Sequence, residues 1–136
     1  LMGGELILDT LSALEKSEIT PIKQDESLAT HTSKIDKSLC LIDFTKPAFE
    51  VHNKIRGLNP WPIATTEING KKIKVHSSLL CEKSGKAGTV ISTKPLIVAC
   101  GEKSVELCEI QPEGKKKMTA EAFLAGHRLS VGDVIG

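Results

Sequence analysis

Tyrosine is absent from this chain and aromatic residues are few: one tryptophan and three phenylalanines among 136 residues. A surface that binds single-stranded nucleic acid by stacking successive bases needs a row of such rings, and Phe44, Phe49 and Phe123 do not supply one. Long apolar runs are missing as well. No stretch approaches the roughly eighteen unbroken apolar residues of a membrane helix, and the opening LMGGELILDT lacks the basic start and small-residue cleavage site of a signal peptide. The expectation is a protein of the cytoplasm, or of an organelle of bacterial origin.

Cys40, Cys81, Cys100 and Cys108 form no CxxC pair and have no histidine at metal-ligand spacing, so they read as reduced thiols with no metal and no chemistry of their own. Gly85, Gly88 and Gly101 make no GxGxxG, and Gly85-Lys86-Ala87 is no phosphate loop. His31, His52, His76 and His127 fall on four separate expected elements without a Ser or Cys elbow beside any of them. No catalytic constellation can be assembled from these residues.

What is present is enough apolar material for one ordinary domain, 40% of the residues, and a charge gradient under a net charge of +1. Through Cys40 there are seven acidic and four basic residues; from Leu41 onward there are ten acidic and fourteen basic. The second part permits a polyanionic partner without demanding one, because a solvated mixed surface has similar counts.

Along the chain, Ile7, Leu11 and Leu14, widened by Leu6 and Leu8, predict an amphipathic helix over Gly4 to Lys16. One helix of this length cannot bury its stripe alone, which suggests that the chain begins inside something larger. Ser17 to Lys46 is polar with no sustained period and reads as a linker. Thr45 is the expected N-cap of a second helix with Pro47 in its first turn, Ala48, Val51, His52 and Ile55 on one face and Gly57 as its left-handed cap.

After Asn59-Pro60-Trp61-Pro62 the period changes to two. Ala64, Thr66 and Ile68, the Asn69-Gly70 turn, and Ile73 and Val75 alternating with Lys72, Lys74 and His76 predict a hairpin with a basic outer face. Further strands are expected near Gly88 to Ser92, Leu96 to Cys100 and Val105 to Ile110. A helix capped by Thr119 and ended by Gly126 follows, and then a last strand over Leu129 to Ile135, interrupted by Gly132-Asp133. The fold class is mainly β: a small barrel of the oligonucleotide/oligosaccharide-binding (OB) type with a preceding helix, a short inserted helix and an N-terminal helix-plus-linker extension. An open antiparallel sheet is the alternative. The domain expectation is 1–16, 17–46 and 47–136.

Two prolines fix φ beside the indole of Trp61, so the ring is expected to plug an open barrel end and fix the junction helix against the first strand. Lys115-Lys116-Lys117 reads equally as a phosphate-contacting loop or a solvated turn.

HNKIRGLNPWPIATTEINGKKIKV, from His52 to Val75, together with QPEGKKKMTAEAFLAGHRLSVGDVIG, from Gln111 to Gly136, resembles the C-terminal domain of the methionyl-tRNA formyltransferase family. GELILDTLSALEKSEITPIKQDESLATHTSKIDKSLCLIDF, from Gly4 to Phe44, resembles that family's last N-terminal-domain helix and its linker. The departures are Phe44 where IDW is usual and Ile63 where Gly often follows NPWP.

The resemblance implies a parent enzyme that carries a formyl group from 10-formyltetrahydrofolate to the amino group of methionine on initiator tRNA. That is acyl transfer to an amine, needing a base and oxyanion stabilisation. In the family an Asn, a His and an Asp of a Rossmann-like domain do this, so no histidine here inherits the role, and this chain alone is expected to be inactive and to need no cofactor of its own. The expected partners are that N-terminal domain and initiator tRNA, held mainly through its backbone by Lys34, Lys37, Lys72, Lys74, Lys115, Lys116 and Lys117; no membrane is involved. The competing reading is a structural accessory module of a sugar-nucleotide or folate-dependent formyltransferase that binds no nucleic acid.

Overall fold

A computed structural model describes residues 2–136; the expected 1–16 segment begins at Leu1, outside the described residues. Contacts group the chain into two compact units, Leu1–Ser33 and Lys34–Gly136. In the first, α1 (Met2–Glu15) is the helix that the Leu/Ile periodicity predicts. A short 3-10 turn, Glu26–Leu28, is capped by Asp25 and buries nothing.

In the second unit, α2 (Ala48–Gly57) precedes β1 (Ala64–Ile68), β2 (Lys71–Cys81), β3 (Val90–Thr93), β4 (Leu96–Ala99), β5 (Ser104–Pro112), β6 (Met118–Thr119) and α3 (Ala120–Gly126). The antiparallel sheet runs β1-β2-β5-β4-β3, with β6 on β5. Asn69 and Gly70 both have positive φ, 51° and 71°, the paired left-handed geometry that lets a two-residue turn follow the twist of its strands. The core contains Val51 and Ile55 of α2, Ile73 and Val75 of β2, Val98 of β4, Val105, Leu107 and Ile110 of β5, and Phe123 of α3.

Of the last strand expected over Leu129 to Ile135, with an interruption at Gly132-Asp133, only the interruption, as a turn, and an isolated bridge of Val134 to Thr89 form. Ser130 N–H donates to the Asp133 carboxylate at 2.7 Å, and Gly132 sits at φ 97°, so a turn replaces extended chain. The end of the chain nevertheless bonds both sheet edges: Val90 N–H donates to Asp133 O at 2.8 Å, Ile135 N–H to Gly88 O at 2.8 Å and Gly136 N–H to Glu67 O at 3.1 Å. Those bonds close the sheet on itself and satisfy edges that would otherwise be open.

The stretch expected to be an irregular linker through Lys46 is packed over its last third. Cys40, Ile42 and Phe44 are buried, and Ile42 N–H donates to Thr65 O at 2.8 Å, because every second residue of this short apolar run faces the core. Thr45 is not the cap of α2. Its hydroxyl donates to Asp43 at 2.6 Å, and Pro47, which needs no N–H partner, holds the cap position. Gly57 is the last helical residue rather than a left-handed cap, and Leu58 follows it in the right-handed region.

Trp61 does not plug the barrel: it is 60% exposed. Leu58 takes the buried position at this corner, and Ile63 N–H donates back to Leu58 O at 2.9 Å, so the intervening residues loop outward. Ile63 adopts φ 73°, a region that a β-branched residue tolerates poorly and glycine accepts.

Candidate nucleic-acid interface

Strand alternation fixes which way the hairpin lysines face. Ile73 and Val75 are fully buried, so Lys72 and Lys74 project from the opposite face of β2 and are exposed. In register, Lys72 lies across from Glu67 on β1, and Lys74 across from Gln111 on β5.

Directly after β5, Gly114 at φ 71° turns the chain, Lys115 N–H donates to Pro112 O at 3.1 Å, and Lys115 to Lys117 stand exposed. Gln111 holds this loop to the hairpin. Its amide donates to Lys115 O at 2.8 Å, while its Oε1 accepts from His76 Nε2 at 3.0 Å. The Asn59 amide in turn donates to His76 O at 3.1 Å. One polar chain thus links the NPWP corner, β2 and the lysine loop.

Three surface clefts share Lys72. The first, about 200 Å³, is bordered by Lys72, Lys74 and the Gln111–Gly114 turn. The second, about 310 Å³, places Lys37 near Lys72 beside Leu41, Thr65 and Glu67. The third, about 680 Å³, lies between the β1–β2 turn and α3 and has Lys71, Lys72 and Lys115 on its wall.

Of the seven candidate lysines, Lys37, Lys72, Lys74 and Lys115 therefore meet along one connected surface. Lys116 is exposed on the same loop but borders none of these clefts. Lys117 is spent on Glu109, with Nζ 3.1 Å from the carboxylate. Lys34 is exposed and borders none of these three clefts. Lys71, Gln111 and His127 belong to the surface and were not legible as such. Lys71 sits beside a turn where any polar residue is ordinary, and the roles of the other two depend on contacts distant in sequence.

The remaining reactive side chains have structural partners. His52 Nδ1 lies 2.9 Å from Ser78 Oγ, tying α2 to β2, and Ser78 is buried. Burial pushes the Cys100 thiol up to about 11, and burial with the nearby Glu106 carboxylate does the same for Cys108, so both stay protonated and weakly nucleophilic near neutral pH. Among the described residues no group of three or more His, Cys, Asp or Glu could hold a metal ion, and no helix is long and apolar enough to cross a membrane.

The fold is similar to part of HypX from Aquifex aeolicus in complex with tetrahydrofolic acid, with a TM-score of 0.59 at 18% identity over 88% of this chain and 22% of that one; at that identity the likeness speaks for the fold alone. Methionyl-tRNA formyltransferase from Clostridium novyi is 42% identical over 99% of this chain and 45% of its own length. The Bacillus velezensis protein of the same name is 41% identical over 100% of this chain and 44% of its own. The chain thus spans less than half the length of these relatives. Residues 34–128 match the family described as "Formyl transferase, C-terminal domain". With more than half of its residues inside that match, and with the packed unit beginning at the same lysine, the chain belongs to the formyl transferase C-terminal domain family.

Proposed function

We propose that this chain is the tRNA-positioning part of a methionyl-tRNA formyltransferase, a cytoplasmic enzyme of translation initiation that transfers a formyl group from 10-formyltetrahydrofolate to methionyl initiator tRNA. Catalysis and the folate site belong to the N-terminal domain of that enzyme. The observation that carries the RNA-holding role is the convergence of Lys37, Lys72, Lys74 and Lys115 on clefts that share Lys72. Exposed ammonium groups spaced along one surface suit a phosphate backbone, and such contacts position an RNA without reading its sequence. Initiator selectivity is then the task of the N-terminal domain.

Glu109 and Glu113 favour the competing accessory role, since one neutralises Lys117 and the other lines the lysine clefts. Salt dependence separates the two readings. Each phosphate neutralised contributes a log-log slope of roughly −0.7 to −0.9 in DNA reference systems, so about three contacts give a slope of about −2 to −3. Changing Lys72 and Lys74 together to Ala is expected to flatten that slope by somewhat more than one unit and to weaken initiator and elongator tRNA alike. An unchanged slope would make these lysines solvated surface and favour the accessory role. A loss confined to initiator tRNA would make them specificity readers.

A further inference from the structure

The largest of the lysine clefts has an aromatic wall. Phe123 of α3 and His127, the extended residue just after that helix, stack with ring centroids 4.1 Å apart and planes inclined by 11°. Phe123 is 2% exposed and anchors the pair in the core, while His127 is half-buried and both line the cleft together with Met118, Lys71, Lys72 and Lys115. His127 Nδ1 lies 3.0 Å from Phe123 O. A carbonyl only accepts, so Nδ1 carries a proton, and in the neutral ring Nε2 then holds the lone pair. The imidazole is therefore fixed in tilt and tautomer before any ligand arrives. Across the cleft, the β1–β2 turn is held in place by the Asn69 amide donating to Arg128 O at 3.0 Å.

A ring fixed on one side, three lysines on the rim and a volume of about 680 Å³, inside the range of roughly 300–1,000 Å³ common for small-molecule sites, suit a planar group that carries a phosphate. We propose that this cleft seats a single nucleotide, its base against the Phe123–His127 pair and its phosphate toward Lys71, Lys72 and Lys115. The inference rests on the RNA-holding role and deepens it: the surface grips a backbone along the lysines and holds one base in the cleft. Glu113, also on the wall, disfavours a bare anion there, so the base rather than the phosphate alone must contribute binding. In the neutral ring Nε2 of His127 is left to accept from an exocyclic amine or a ribose hydroxyl. A single stack is sequence-tolerant, since every base has a π-face, which agrees with positioning rather than reading.

The test uses the whole chain with adenosine 5′-monophosphate and, separately, ribose 5-phosphate, following the His127 ring protons and the amides of Lys71, Lys72 and Lys115 by NMR. The expected result is a ring-current shift at His127 with the nucleotide only, and tighter binding of the nucleotide than of the sugar phosphate. His127→Ala is expected to weaken the nucleotide about 5-fold, the low end of measured base–aromatic stacking, and to leave ribose 5-phosphate unchanged. His127→Phe is expected to restore binding, which a purely structural role for the histidine would not do. Equal binding of the two probes, or lysine shifts with His127 unmoved, overturns the nucleotide seat. Salt-sensitive tRNA binding on the same samples tells the two inferences apart. If tRNA binds but His127 does not respond to the nucleotide, the seat alone fails; if the nucleotide binds but tRNA does not, the RNA-holding role fails.

Discussion

Helices α1 and α2 carry the same kind of apolar stripe and meet different fates. In α2, Ala48, Val51 and Ile55 are buried against the sheet, and His52 adds a hydrogen bond to β2. In α1, Leu6, Ile7, Leu8, Leu11 and Leu14 are between 46% and 66% exposed. Periodicity therefore tells which face of a helix is apolar but says nothing of what covers it. The cover of α2 is built from residues of the same unit. A fourteen-residue helix such as α1 draws little stability from its own hydrogen bonds, because isolated helices of this length are marginal in water.

The contrast breaks most sharply by truncating one residue on each stripe. Ile55→Ala removes a fully buried side chain and is expected to cost about 2–5 kcal/mol in urea unfolding of the sheet-bearing unit, the transfer loss plus the cavity left behind. Leu11→Ala is expected to change that same transition by less than about 0.5 kcal/mol, as exposed substitutions do. Comparable losses from the two variants would mean that α1 contributes to the core of the sheet-bearing unit after all.

A smaller effect probes how the chain enters α2. Gly101, just after β4, donates its N–H to Lys46 O at 2.9 Å, and a Cβ there would stand only 2.0 Å from Thr45 O. The colliding atom is backbone, so relief requires moving the segment that delivers α2 to the sheet. Gly101→Ala is expected to cost about 1–3 kcal/mol by overpacking. In amide exchange, the first sites to lose protection are expected to be Ala48, whose N–H reaches Glu102 O at 2.9 Å, and Gly101 itself. A variant as stable as the parent would show that this close approach is not needed to hold the helix.

Much of the second unit was legible because local chemistry and global pattern agree there. Asn69-Gly70 dictates a primed turn, alternation dictates that Lys72 and Lys74 face out, and Thr119 does cap α3, its hydroxyl accepting from Ala122 N–H at 3.2 Å. What stayed hidden depends on partners remote in sequence. Trp61 reads as a plug because prolines fix the chain on both sides of it at the helix-to-strand junction, yet Leu58 fills that position and the loop that returns at Ile63 turns the indole out. The last residues read as a strand interrupted at Gly132-Asp133, but the Ser130–Asp133 turn there leaves only an isolated bridge at Val134. The lysine surface was half legible. Its members are plain in the sequence, whereas the pairing of Lys117 with Glu109 and the place of Phe123 and His127 beside the same cleft are set by the packing of α3 and β6 on β5.

The finest comparison between the two units uses a motif that each contains. Asp25 with Ser27 and Asp43 with Thr45 form the same local turn, the carboxylate accepting from the hydroxyl and backbone N–H two residues on. In both cases the hydroxyl first, and then the backbone N–H, holds the carboxyl below its ordinary value of 3.8; the Lys46 and Lys54 ammoniums add to this at Asp43. A carboxyl depressed in the folded state stabilises the fold fully above its unfolded value and loses that contribution as pH falls through the folded one. As pH falls below that ordinary value, Asp43→Asn is therefore expected to flatten part of the acid-induced fall in the urea midpoint of the sheet-bearing unit. The Asp43 turn lies between buried Ile42 and Phe44, so its integrity is coupled to that core. Asp25 caps a turn with no buried residue, so Asp25→Asn is expected to leave the midpoint profile unchanged while NMR titration of the parent still finds both carboxyls depressed. Identical profiles for the two variants and the parent would mean that the Asp43 turn persists after unfolding as the Asp25 turn does, and that the core around Ile42 and Phe44 is held by burial alone.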